Sequence, residues 1–282
     1  MTSAMTERIV QRDDVRLAVE EAGPEDGIPV VLLHGLTATR RYVVMGSRAL
    51  ERGGHRVVSY DARGHGASGA APTPDAYGYD TLALDLVAVL DALELDRAVL
   101  AGASMGAHTL LRAALDAPER IAGAVVVTPA FDPDAAPDFT RWDALAAGLR
   151  AGGVEGFVEA YRVEDEVPEA WRDTVRTVLR QRMAQHADLD AVADALQAVP
   201  RSRPFASLDE LRALSVPAVV VASRDEADPG HPFAVGEAYA AAIPGARLVT
   251  EEPGRSPVAW QGGQLSRVIA ELAAEALPAQ RR

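Results

Sequence analysis

The residues best placed to do chemistry lie in VLAGASMGAHTLL, residues 99–111, where an apolar run enters Gly102-Ala103-Ser104-Met105-Gly106 and a helical pattern follows. A serine on a tight strand-to-helix turn exposes its hydroxyl for nucleophilic attack, and small residues two positions to either side let the backbone make that turn. Gly-x-Ser-x-Gly alone is a weak signal, because a plain glycine-rich turn reads the same way. The strand before it and the helix after it sharpen the reading. A serine also needs a base to take its proton. His108 follows by four residues, which puts it one turn into the helix and along its side rather than at the exposed hydroxyl. His55 begins a strand, and His186 ends a helix, where it suits the negative end of the dipole. His231 lies in SRDEADPGHP, residues 223–232, among Asp225, Glu226 and Asp228.

These residues need a scaffold, and the hydropathy pattern supplies one. Two short alternating segments around Asp13-Asp14 predict an antiparallel hairpin at a sheet edge. Short, almost wholly apolar runs follow at residues 29–33, 56–60, 98–101, 124–127 and 218–222. Such runs suit strands buried on both faces of a parallel sheet covered by helices. In DTLALDLVAVLDAL, Leu82, Leu86, Val89, Leu90 and Leu93 share one helical face, with Asp80 placed to cap the start. Strand and helix alternate, which is the signature of an α/β fold. From about Phe131 to Ser207 the alternation stops. Amphipathic segments take over, with Trp171, Val175, Val178 and Leu179 in one stripe, Pro168 suited to a first turn and Asp188 to a cap. SLDE at 207–210 reads as a capping box that leads back into the sheet.

The bulk properties narrow the partners. A chain of 282 residues with 48% hydrophobic and 24% charged residues can bury a sizeable core. Its net charge of −13 disfavours a phosphate backbone or an anionic membrane as partner. With no cysteine, disulfides, thiolate metal sites and cysteine nucleophiles are excluded. The opening residues lack the apolar core of a secretory signal, and no apolar run approaches the ~18 residues of a spanning helix. The expectation is a cytoplasmic protein acting on a small-molecule substrate.

Two further segments fall in order before the serine motif. LLHGL at 32–36 and DARGHGASG at 61–69, followed by GASMG, make the chain resemble the α/β-hydrolase superfamily, in the branch of lactonases, esterases, cofactor-free peroxidases and carbon–carbon bond hydrolases. The resemblance covers nearly the whole chain. It implies a mostly parallel central sheet flanked by helices, with residues 1–130 and 208–282 as the core and 131–207 as a helical cap, or lid. It also implies an oxyanion hole made by the backbone N–H groups of Leu36 and Met105, each such donor being worth about 3 kcal/mol. His34, Arg63 and His65 then hold loop structure, with His34 also a candidate for touching substrate. The acid that orients a catalytic histidine is expected after the strand at 218–222. Asp225 is the best match, Glu226 and Asp228 are rivals, and Asp132 is the reserve.

In the family the histidine stands after the last strand, but here ARLVTEEPGRSP puts Arg255 or Ser256 at that place. Arginine stays protonated and a serine hydroxyl is a poor base, so the expected triad is incomplete. His231 is the substitute within reach, six residues beyond Asp225 on the same catalytic face. Two other roles stay open for it: shaping or capping the helix that begins near Phe233, and binding a metal with the neighbouring carboxylates. The reading is a serine hydrolase for a small ester, lactone or related acyl compound, using Ser104, His231 and Asp225 with Leu36 and Met105, and no cofactor. Trp142, Phe157, Tyr161 and Trp171 of the lid are candidates to line its pocket. A non-catalytic ligand-binding protein of the same fold and a lyase-type enzyme are the alternatives.

Overall fold

The computed structural model describes residues 5–225, 227–251 and 262–277. Eight strands form one sheet: β1 Thr6–Arg12, β2 Val15–Ala22, β3 Ile28–Leu33, β4 His55–Tyr60, β5 Ala98–Ala103, β6 Ile121–Val127, β7 Ala218–Val221 and β8 Arg247–Val249. Their order is β1-β2-β4-β3-β5-β6-β7-β8. β1 and β2 form the expected hairpin at one edge, with Arg12 opposite Val15. β2 also runs antiparallel to β4, and the remaining pairs are parallel.

Nine α-helices accompany the strands among the described residues: α1 Ala49–Arg52, α2 Tyr79–Ala92, α3 Met105–Asp116, α4 Thr140–Ala160, α5 Val163–Glu166, α6 Arg172–Met183, α7 Leu189–Ala198, α8 Phe233–Ala242 and α9 Gly262–Ala276. Strand alternation sends side chains to both faces. Val31, Leu33 and Leu100 pack with Leu86, Leu90, Leu110 and Tyr239 on one side. Val30, Leu32 and Val99 pack with Leu50, Leu265 and Ile269 on the other. Both faces are therefore covered, as the apolar runs require.

The chain order reverses direction between β3 and β5, so the loops leaving these neighbouring strands diverge and open a crevice at their carboxyl ends. Helices α4 to α7 stand between β6 and β7 and carry a core of their own, in which Leu145, Leu149, Phe157, Leu179, Met183 and Leu196 are buried. No helix of the described residues is long and apolar enough to cross a membrane.

Two capping expectations change. Helix α2 begins at Tyr79 with Gly78 as its cap residue. The Tyr79 N–H donates to Ser202 Oγ at 2.9 Å, so a hydroxyl from the segment after α7 does the work expected of Asp80. Pro168 sits just before a short 3-10 turn, Glu169–Trp171, rather than inside a first α-turn. Asp188 does cap α7, accepting from the Ala191 N–H, and Ser207 with Glu210 forms the capping box, although the element it opens is a 3-10 helix.

Candidate active site

β5 ends at Ala103 and α3 begins at Met105, which leaves Ser104 alone at the turn with φ 50° and ψ −113°. A non-glycine residue held at positive φ costs on the order of 1–3 kcal/mol, so surrounding structure must impose it. The glycines on either side make the turn possible. A Cβ on Gly102 would lie 2.2 Å from the Gly106 carbonyl oxygen, and one on Gly106 would lie 2.1 Å from that of Leu33. The Ser104 N–H donates to the Val127 carbonyl at 3.0 Å, pinning the turn to the neighbouring strand. Its side chain remains partly accessible, in the wall of a cavity of about 440 Å³.

The loop after β3 comes up beside it. A Cβ built on Gly35 would sit 3.4 Å from Ser104 Cβ, so Leu36 follows directly next to the serine. Among the described residues, neither the Leu36 N–H nor the Met105 N–H donates to a protein acceptor. His34 fixes this loop. Its Nδ1–H donates to the Gly35 carbonyl at 2.8 Å and its Nε2 accepts from the Ala62 N–H at 2.9 Å. Burial lowers its pKa, so it is a neutral tie between two loops, with both ring nitrogens occupied.

The loop at 61–69 is held by its own motif. The Arg63 guanidinium meets both oxygens of the buried Asp85 at 2.7 Å and donates to the Ala76 carbonyl at 3.0 Å. His65 Nδ1–H donates to the Arg63 carbonyl, and the ring lies between those of His34 and His186. Both residues hold structure, as expected. His186 does not. Instead of facing a helix terminus as a cation, it lies buried, with Nδ1 accepting from the Gly66 N–H at 2.9 Å and Nε2–H donating to the Thr37 carbonyl at 3.0 Å. Burial takes its pKa down to about 4, so it is neutral and joins the end of the α6 segment to both loops. His108 is packed as expected, between Tyr79 Oη at 3.1 Å and the N–H groups of Ala130 and Phe131, with its pKa lowered to about 3 by burial.

His231 faces the cavity that Ser104 faces. Its Nδ1 lies 2.8 and 2.7 Å from the two carboxylate oxygens of Asp228, a geometry in which Nδ1–H donates and Nε2 is left to accept a proton. Burial pushes the Asp228 pKa up, but the charge interaction and hydrogen bond with His231, with Arg182 and Arg141 beyond, outweigh it and leave the group below its ordinary value. The partner of His231 is therefore Asp228 and not Asp225. The Asp225 carboxylate turns back on its own loop, accepting from the Ala227 N–H at 2.7 Å. Asp132 is exposed and accepts from the Asp134 N–H at 2.9 Å in a local turn. Glu226, Arg255 and Ser256 lie outside the described residues. His231 does not cap the following helix either, since α8 starts after Pro232 with no side-chain cap.

From α4, α6 and the segment after α4, Trp142, Leu145, Phe157, Tyr161 and Val178 line the cavity. Trp171 packs against the core of helices α4 to α7 instead. Among the cavity residues that escaped the sequence reading is Arg182, whose Nη2 donates to the Leu36 carbonyl at 3.1 Å and to Thr37 Oγ1 at 2.8 Å. It continues the stripe of Trp171, Val175 and Val178, and a cation on an apolar helix face was the signal that could have found it.

A serine on a strained strand-to-helix turn, at the switch point of a doubly covered sheet, defines a class of protein. The family description "alpha/beta hydrolase fold" matches residues 28–260, and the chain belongs to that family. It is 33% identical over 212 residues to a Variovorax paradoxus protein that carries the provisional name carbamate hydrolase RutD, covering 75% of this chain and 79% of that one. Among solved structures it resembles a hydrolase from Pseudomonas aeruginosa, with 28% identity, a TM-score of 0.76 and 98% of both chains covered. It also resembles a thermophilic esterase from Thermogutta terrifontis, with 26% identity, a TM-score of 0.78, and 97% and 99% covered.

Proposed function

We propose that the protein is a serine hydrolase for a small ester, lactone or related acyl substrate. The observation that carries this reading is the Ser104 turn, whose hydroxyl shares one cavity with a histidine already held by a carboxylate. Ser104 Oγ attacks the carbonyl carbon, and His231 Nε2 takes the hydroxyl proton. Asp228 steadies the imidazolium through Nδ1–H. The N–H groups of Leu36 and Met105 receive the negative charge that develops on the carbonyl oxygen. His231 returns the proton to the leaving alkoxide, which departs as the alcohol. Water, deprotonated by the same histidine, then attacks the acyl-serine and releases the carboxylic acid. The named relatives, a carbamate hydrolase and an esterase, support this class of chemistry. The helices α4 to α7 act as the lid that shapes the acyl pocket.

A fluorophosphonate probe with mass spectrometry tests the reading. The adduct is expected on Ser104, and Ser104→Ala is expected to lose both labelling and at least about a thousandfold in turnover of an aryl ester. Labelling elsewhere, or turnover that survives Ser104→Ala, would overturn it.

A further inference from the structure

Arg182 is the feature of the cavity that the acyl chemistry above leaves unused. Its Nη2 is satisfied by two neutral acceptors, the Leu36 carbonyl and Thr37 Oγ1. Its Nε is buried with no acceptor, and no carboxylate of the described residues lies within 4.0 Å of the guanidinium. Burial lowers its pKa from the ordinary value, with Tyr161, Asp228 and Tyr42 pulling the other way. Arg182 is half-buried, and a partly buried cation without a counter-ion is costly, such charges being normally found paired. The neighbouring charges are committed elsewhere: Asp228 to His231, and Arg141 to Glu166 at 2.7 Å. Most of the surrounding wall is apolar, with Leu36, Trp142, Leu145, Phe157 and Leu179.

We propose that Arg182 is a specificity residue that binds a carboxylate carried by the substrate, so that the preferred ester or lactone is a monoanion. Its planar fork suits a carboxylate. One uncommitted guanidinium, with Asp228 facing the same cavity, balances a single negative charge better than the double charge of a phosphate monoester. The bond from Nη2 to the Leu36 carbonyl also sets the distance. The carboxylate is held within a residue's reach of the amide assigned to the oxyanion, so a short chain of a few carbons separates it from the reacting carbonyl. The cavity, at about 440 Å³, accommodates a molecule of that size. This proposal rests on the hydrolase reading, and the test below separates the two.

Monoethyl glutarate and ethyl pentanoate differ by a carboxylate in place of a terminal methyl, and a pH-stat follows the acid that each releases. The wild-type protein is expected to favour the glutarate ester by about tenfold or more in kcat/KM, chiefly through KM. In Arg182→Gln that ratio should collapse toward one, and in Arg182→Lys part of it should return. A wild-type protein that treats the two esters alike, or a ratio unchanged in Arg182→Gln, overturns the carboxylate site while leaving the hydrolase standing. Calorimetry with monoethyl glutarate on Ser104→Ala, alone and combined with Arg182→Gln, reads the site without any turnover. Binding that weakens about tenfold or more in the combined variant upholds the proposal even if neither ester is hydrolysed. Binding absent from Ser104→Ala, or equal in both proteins, overturns it.

Discussion

His231 Nδ1 stands 2.7 Å from Asp228 Oδ2, so one surface loop carries both an imidazole and the carboxylate that orients it. An amide in place of the carboxylate would favour the wrong tautomer and remove the charge that stabilises the imidazolium. Asp228→Asn is therefore expected to lower kcat on an aryl ester by about a hundred- to ten-thousandfold with little change in KM. Asp225→Asn is expected to cost far less. Steady-state kinetics on the two variants decides, and the opposite ranking would return the acid to Asp225.

The turn that presents Ser104 tolerates no added carbon. Gly106→Ala would drive a Cβ to 2.1 Å from the Leu33 carbonyl oxygen and 2.8 Å from that of His34, both of them backbone atoms. A loss of about 3 kcal/mol or more is expected, at the upper end of what overpacking costs. Urea denaturation measures it, and a variant as stable as the wild type would show that the strand and helix separate more easily than their packing implies.

Four histidines are held neutral by burial: His34, His65, His108 and His186. Each has a folded pKa below its unfolded value of about 6.5, so the unfolded chain binds more protons in the interval between them. Their contribution is complete above pH 6.5 and declines as pH falls, down to about 4 for His186 and about 3 for His108. Each adds a slope of up to about 1.4 kcal/mol per pH unit. His186→Gln can keep both hydrogen bonds but cannot titrate. Its stability measured from pH 7 to pH 4 should fall less steeply than the wild type's, by about one proton's worth of slope.

Asp85, fully buried in α2, receives two hydrogen bonds from Arg63 and one from Arg12 at 3.0 Å. Asp85→Ala strands the Arg63 guanidinium in the interior, and a loss of about 3–5 kcal/mol is expected in the same denaturation experiment. A loss below about 1 kcal/mol would mean that water reaches Arg63 once the carboxylate is gone.

The sheet could be read from the chain because its strands are short, apolar and buried on both faces, a pattern that survives without knowledge of partners. Ser104 could be read for a related reason, since close backbone approach demands glycine at fixed offsets. The carboxylate that pairs with His231 could not be singled out. Asp225, Glu226 and Asp228 are all carboxylates nearly equal in position, and only the turn that bends Asp225 toward the Ala227 N–H while freeing Asp228 for His231 separates the first of them from the last. Asp80 misled for want of tertiary knowledge, because the hydroxyl that caps α2 comes from Ser202, more than a hundred residues away. His186 at a helix end reads as a surface cation, and only packing against the loops at 34–37 and 61–69 makes it a neutral brace.

That brace reaches further than its own neighbourhood. Arg182 and His186, four residues apart, both fasten to Leu36-Thr37, the stretch that lies against the serine. Grafting a different set of cover helices onto this scaffold would consequently alter more than which molecules fit. It would also reset the aim of the amide beside Ser104, so that selectivity and speed would drift together unless these two fastenings were carried over with the graft.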